Sequence, residues 1–199
     1  MKVLTMPWEK TFDTEDVVAH AIAVFWKKGY EATSIAELTK AMGINKGSLY
    51  NAFGSKKKLF MHALQQYDRN RTQRTLKKMD AMEAPLDAIN GLFDHVINHN
   101  CSNPNNKGCL LVNTALELPH HDTDIQKMVT KSLDNLKDFF EQNIRRGQRD
   151  GSIPAHINPQ TTAHVLRSLI VGLQVLSRGV SDPESFEPVK TQVLNTLRG

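Results

Sequence analysis

The chain has no long hydrophobic run. No apolar stretch among its 199 residues approaches the roughly 18 needed to cross a bilayer, so a membrane span is not expected. The first ten residues, MKVLTMPWEK, are too short and polar for a secretory leader, which makes a cytoplasmic protein the expectation. Cysteine is scarce. Cys101 and Cys109 make no disulfide framework, and in a reducing compartment both are free thiols. There is no internal repeat, low-complexity segment, phosphate-binding glycine loop, compact Cys/His metal box or paired nucleophile and base. These absences argue against an enzyme and against a resident metal or cofactor. His95 and His99 are four apart with Cys101 nearby, but exposed histidines on a helix are the plainer reading, as for His120 and His121.

What is present is a core-forming apolar fraction of 40% and an uneven charge distribution. Residues 1–78 carry 14 Lys/Arg against 7 Asp/Glu, a net of +7, and residues 79–199 carry 11 against 14, a net of −3. A polyanion partner is expected at the front of the chain only.

Apolar residues recur at helical spacing over almost the whole length, predicting an all-α fold of about nine helices. The expected spans are 13–28, 34–43, 46–53, 56–79, 85–99, 108–118, 122–149, 159–179 and 183–198. Ser34 and Glu37 form a capping-box pattern opening the second helix, with Ile35, Leu38 and Ala41 facing inward and Gly43 ending it. Asn45 is placed to cap the third helix, anchored by Leu49 and Phe53. Its other face carries Gly47, Ser48, Tyr50 and Asn51. Small and hydrogen-bonding residues on one face suit a helix laid in the DNA major groove. Ser55 then caps a helix whose first turn is Lys56, Lys57 and Lys58, where the helix dipole disfavours cations unless phosphates lie nearby.

Residues 11–71 resemble the N-terminal DNA-binding domain of TetR-family transcriptional regulators. The resemblance is carried by FWKKGYEATSIAELTKAMGINKGSLYNAFGSKKKLF, with T-S-I-x-x-L, G-I-x-K-G-S-L-Y-x-x-F and S-K-x-x-L in succession. It covers about a third of the chain. It implies a helix-turn-helix motif at 34–53, a helical effector-binding and dimerisation domain over 72–199, and repression of transcription. Lys46, Gly47, Ser48, Tyr50 and Asn51 are the groove-side candidates, and Ser34, Tyr50, Lys56 and Lys57 the phosphate candidates. The expected partners are a double-stranded, near-palindromic operator, a second copy of the chain and a small-molecule effector.

For the effector, apolar side chains converge at Phe93, Val96, Val112, Leu116, Met128, Leu136, Phe140 and Ile170, with Asn113, Glu117 and Gln174 as polar selectors. The same side chains equally suit a plain core. Cys109 is expected to open the sixth helix in KGCLLVNTALE. A helix N-terminus and Lys107 would both lower its thiol pKa, and the segment resembles that of a TetR subgroup in which some members sense electrophiles or oxidants. The bland alternative is a small buried helix residue. The last two helices are expected to pair with their copies through Val165, Leu169, Gly172, Leu173, Leu176, Phe186, Val189, Val193 and Leu197. Two other classes compete with the regulator reading. An architectural DNA-binding protein would show no operator preference, and a thiol-dependent enzyme would turn over substrate.

Overall fold

Capping chemistry and apolar periodicity divide the chain into helices joined by short turns. The computed structural model describes residues 13–101, 107–117, 122–178 and 183–199, without the side chains of 99–101 and 183. Nine helices and no strand occur among these residues: α1 Thr14–Lys28, α2 Ile35–Met42, α3 Lys46–Phe53, α4 from Lys56 to Asp80, α5 Pro85–Cys101, α6 Leu110–Leu116, α7 Thr123–Asp150, α8 Pro159–Leu176 and α9 Glu187–Arg198. A 3₁₀ turn, Pro183–Phe186, precedes α9. Within α4 the residues Asp68–Gln73 are π-helical, a change of winding not foreseen from the sequence.

The chain forms two compact units, Met1–Gln66 and Tyr67–Gly199. The break lies upstream of the 71/72 boundary expected from sequence.

In the first unit Asp13 caps α1 by accepting the Glu15 N–H at 2.8 Å. Val17, Val18, Ala21 and Phe25 of α1 are buried with Leu38, Met42, Leu49, Phe53, Leu59, Phe60, Ala63 and Leu64. In α2 Leu38 and Met42 face inward while Ala41 is exposed, so the inward stripe ends one residue later than expected. The Phe25 and Tyr30 rings lie 4.8 and 4.9 Å from that of Phe60. Gln66 closes the unit by donating to the Glu15 carbonyl at 2.8 Å. Truncating Leu49 or Phe53 would cost about 3–5 kcal/mol, a large share of the stability of so small a core.

The second unit is organised on α7. Its residues Ile125, Val129, Ser132, Leu136, Phe139, Phe140, Asn143, Ile144 and Gly147 are buried in steps of three and four. Gly147 has a packing reason, since a Cβ there would lie 2.6 Å from Ile153. Arg146 ties the end of α4 to α7 by donating to the Met82 carbonyl at 3.0 Å and the Glu83 carbonyl at 3.2 Å.

Candidate nucleic-acid interface

The turn between α2 and α3 is built from side-chain caps. The Ser34 hydroxyl accepts the Glu37 N–H at 3.2 Å, and the Glu37 carboxylate accepts the Ser34 N–H at 3.0 Å. Lys28 completes this cap with an ion pair to Glu37. Together with the Ser34 hydrogen bonds it holds the Glu37 pKa down to about 2, the Lys28 contact being the largest cause. Gly43 ends α2 at φ 65, a left-handed conformation that favours glycine, and Asn45 accepts the Ser48 N–H at 2.8 Å to start α3.

On α3 the burial alternates in pairs. Ser48, Leu49 and Phe53 are buried, whereas Lys46, Gly47, Tyr50 and Asn51 are exposed, Tyr50 by 40%. Ser48, also expected on the groove side, is 8% exposed, with its N–H held by the Asn45 cap. The Lys46 ammonium lies 6.0 Å from the Tyr50 ring centroid.

At the start of α4 the Ser55 hydroxyl accepts the Lys58 N–H at 3.1 Å. Lys57 and Lys58 are exposed. Lys56 is turned back instead: its ammonium sits 4.4 Å over the Tyr30 ring and donates to the Glu31 carbonyl at 3.4 Å. The Ser34 hydroxyl is likewise occupied by the capping box.

The expected control residues divide differently. Phe93, Val96, Leu136, Phe140 and Ile170 belong to the main core cluster, and Val112 is buried. Met128 and Gln174 are half-buried, and Leu116 is 60% exposed. Asn113 donates to the Lys107 carbonyl at 2.8 Å, so its amide positions a loop.

Cys109 opens α6 as its N-cap, an extended residue at φ −103, ψ 129 whose carbonyl accepts the Asn113 N–H at 2.8 Å, just after Gly108 turns left-handed at φ 68. The thiol is free and buried. Burial raises its pKa, outweighing hydrogen bonds from the Val112 N–H, the Tyr67 hydroxyl and the Leu111 N–H, which favour the thiolate. This is the reverse of the expected lowering. Tyr67, also buried, has its own pKa pushed up by burial and by the Cys109 thiol. Sequence reasoning missed this pairing, since nothing local connects residues 42 positions apart. His95 lies 3.4 Å from the Thr75 hydroxyl. The other expected metal candidates, the side chains of His99 and Cys101 and the residues His120 and His121, lie outside the described residues. No group of three metal-ligating side chains gathers among the described residues.

Of the expected dimer residues, Leu173, Phe186, Val193 and Leu197 are 5% exposed or less and pack into their own subunit's core, with Val189 partly buried against it. Their apolar stripe serves the intramolecular contact of α8 and α9 with α5. Val165 and Leu176 are 53% and 57% exposed, Leu169 and Gly172 are half-buried, and a Cβ on Gly172 would meet nothing within 4 Å.

Two capped short helices, the second exposing a polar face over a buried Leu49–Phe53 anchor, define a helix-turn-helix DNA-binding domain. Residues 17–63 match the family described as bacterial regulatory proteins, tetR family, and residues 85–193 match the tetracyclin repressor-like C-terminal domain. The chain belongs to the TetR family of transcriptional regulators. The uncharacterized HTH-type regulator YezE of Bacillus subtilis (strain 168) is 30% identical over 144 residues, 72% of this chain and 74% of that one. The HTH-type transcriptional repressor ComR of Escherichia coli (strain K12) is 28% identical over 190 residues, 95% and 89% of the two chains. Among solved structures, a cysteine mutant of the TetR-family regulator CifR, complexed with 26-bp double-strand operator DNA and apo-CifR, is 28% identical with a TM-score of 0.82. That likeness covers 94% of this chain and 98% of the other. No helix of the described residues is long and apolar enough to cross a membrane.

Proposed function

We propose that this chain is a transcriptional repressor that binds a near-palindromic operator as a homodimer and is released by a signal received in residues 67–199. The observation that carries the reading is the exposed face of α3, where Lys46, Gly47, Tyr50 and Asn51 stand over a fully packed opposite side. Asn51 has the geometry class that pairs with adenine in the major groove, and Lys46 that of a guanine or phosphate contact. Lys57 is the phosphate candidate at the start of α4, while Lys56, held on Tyr30 and Glu31, supports the turn that presents α2. The repressor ComR and the operator complex of CifR support the same assignment.

The test begins with selection of binding sequences from a random duplex pool, followed by fluorescence anisotropy on the selected operator. Asn51→Ala is expected to lose about 1–3 kcal/mol of affinity and to relax preference at one base position per half-site. Lys57→Ala is expected to weaken binding to all sequences and to flatten the salt dependence by about one unit per protomer. Selection of no sequence from the pool would favour the architectural reading and overturn this one. For the thiol-enzyme reading the discriminating measurement is a turnover assay on the purified chain, in which Cys109 is buried and its pKa raised by that burial.

The releasing signal is a small molecule or a thiol-reactive compound. The core placement of Phe93, Phe140 and Ile170 means that an effector among them would displace packed side chains and so favour a second conformation.

A further inference from the structure

Three glycines lie along α2, α3 and their ends, and the fold explains two of them. Gly43 at φ 65 and Gly54 at φ 78 end α2 and α3 in backbone conformations that side chains rarely adopt. Gly47 has no such reason. It lies in the first turn of α3, its φ is not positive, and it is exposed. Glycine is among the poorest helix formers, so an eight-residue helix would form more readily with alanine there.

The cap of α3 does not demand a glycine either. A Cβ on Gly47 would lie 3.2 Å from the Asn45 carboxamide oxygen, a tight contact with the end of an exposed side chain. Other capped helices carry a side chain at the equivalent place, two residues after the cap: Glu15 in α1, Ala36 in α2, Asp124 in α7 and Gln160 in α8. In α8 the cap is Asn158, the same residue type as Asn45. The packing of the chain leaves Gly47 unaccounted for, and what remains is the surface it presents.

The neighbouring side chains define that surface. At 100° per residue, Gly47 stands between Tyr50 and Asn51 around α3, one turn before both. Side chains on a helix lean toward its start, so Tyr50 and Asn51 flank the place where Gly47 has none. Lys46 borders it as well, its ammonium 6.0 Å from the Tyr50 ring centroid. All three are exposed. The result is a shallow gap, floored by backbone, in a face otherwise made of longer side chains.

A gap without a side-chain donor or acceptor of its own selects by shape. In the major groove the base edges offer hydrogen-bonding groups and one apolar projection, the C5 methyl of thymine. Gly47 is one turn from Asn51, a residue type suited to adenine. Residues so spaced lie about 5–6 Å apart, which is one or two base pairs along a duplex rising about 3.4 Å per pair.

We propose that Gly47 is a specificity-determining residue whose missing side chain admits the C5 methyl of one thymine in each half-site. The proposal rests on the reading of α3 as the helix that enters the major groove.

The test exchanges the methyl group between the two partners. The full-length wild type and Gly47→Ala are titrated by fluorescence anisotropy against the selected operator. They are also titrated against duplexes in which one thymine at a time, at the same place in both half-sites, is replaced by deoxyuridine, which lacks only that methyl. At one position the replacement is expected to weaken wild-type binding about fourfold per half-site, the worth of one buried methyl. Gly47→Ala is expected to lose at least about fivefold per half-site on the unmodified operator, the lower end of the cost of overpacking. On the duplex carrying deoxyuridine at that same position it is expected to recover most of this loss, since the alanine methyl fills the space the base methyl vacated. Thermal unfolding followed by circular dichroism is expected to show Gly47→Ala at least as stable as wild type. Gly47→Ser carries the same test should the alanine variant fail to fold.

A wild type indifferent to deoxyuridine at every thymine overturns the proposal. So does a Gly47→Ala chain that binds the unmodified operator as wild type does, or one that loses equally on every duplex. Each of these leaves the operator reading intact. A wild-type chain that selects no operator overturns that reading and this proposal together.

Discussion

A thiol at the mouth of a helix receives N–H groups that favour thiolate, and in Cys109 burial outweighs the bonds from Val112, Tyr67 and Leu111. The deciding magnitude is desolvation, which shifts fully buried groups by up to several pKa units, whereas a helix terminus contributes about 0.3–1 kcal/mol. The neutral thiol follows, and with it low nucleophilicity in this conformation. N-ethylmaleimide at neutral pH is expected to label Cys109 at least about ten times more slowly in the folded chain than in urea, with the rate rising as pH climbs. The sign for stability is the same for Cys109 and Tyr67. A pKa raised by folding contributes stability below the unfolded value, about 8.5 for a thiol, and loses it as pH rises further. Cys109→Ser is expected to keep operator binding. If electrophiles release that variant as readily as wild type, Cys109 is no sensor.

Among the elements, α2 is too short to stand on propensity alone and depends on its caps. Ser34→Ala removes the acceptor for the Glu37 N–H and is expected to cost about 1 kcal/mol of stability by denaturant titration. Glu37 adds a pH dependence of definite sign. Its folded pKa of about 2 lies below the unfolded value of about 4.3, so its contribution is present above the higher value and lost as pH falls toward the lower. Glu37→Gln is expected to flatten thermal stability over that window, and an unchanged acid profile would remove Glu37 from the account. The start of α4 shows the same local logic with a different end. Three consecutive lysines stand where the dipole opposes them, and Lys56 is offset by the Tyr30 ring and the Glu31 carbonyl.

For the whole molecule, in the proposed reading one helix-turn-helix per chain would read half of a palindrome and a second copy would supply the other half. We infer that the copies meet through Val165, Leu169, Gly172 and Leu176, which recur in steps of four, three and four along α8. Leu176→Arg is expected to give monomers in sedimentation at micromolar concentration, with helical content unchanged and operator affinity much reduced. Leu173→Ala on the packed side is expected instead to lower stability by about 2–5 kcal/mol without abolishing dimers. A Leu176→Arg variant that stays dimeric would place the interface elsewhere.

The sequence by itself determined the helices, most of their ends and the helix-turn-helix. The signals are local: Asp13, Ser34, Asn45, Ser55, Asp122 and Asn158 each accept a backbone N–H within three residues, and the apolar stripes follow the helical period. It also separated Leu49 and Phe53 from Tyr50 and Asn51, since a residue and its neighbour one turn away share a face. Only the tertiary structure decided what depends on residues far apart in the chain. An apolar face on α8 or α9 reads the same whether it meets its own core or another subunit, and the packing of α5 took Leu173, Val193 and Leu197 inward. The neutral Cys109 thiol needed Tyr67, 42 residues away, and the buried Asp68 carboxylate needed Ser132, 64 residues away. Burial and long-range hydrogen bonds are set by where distant segments meet, and no local period records that.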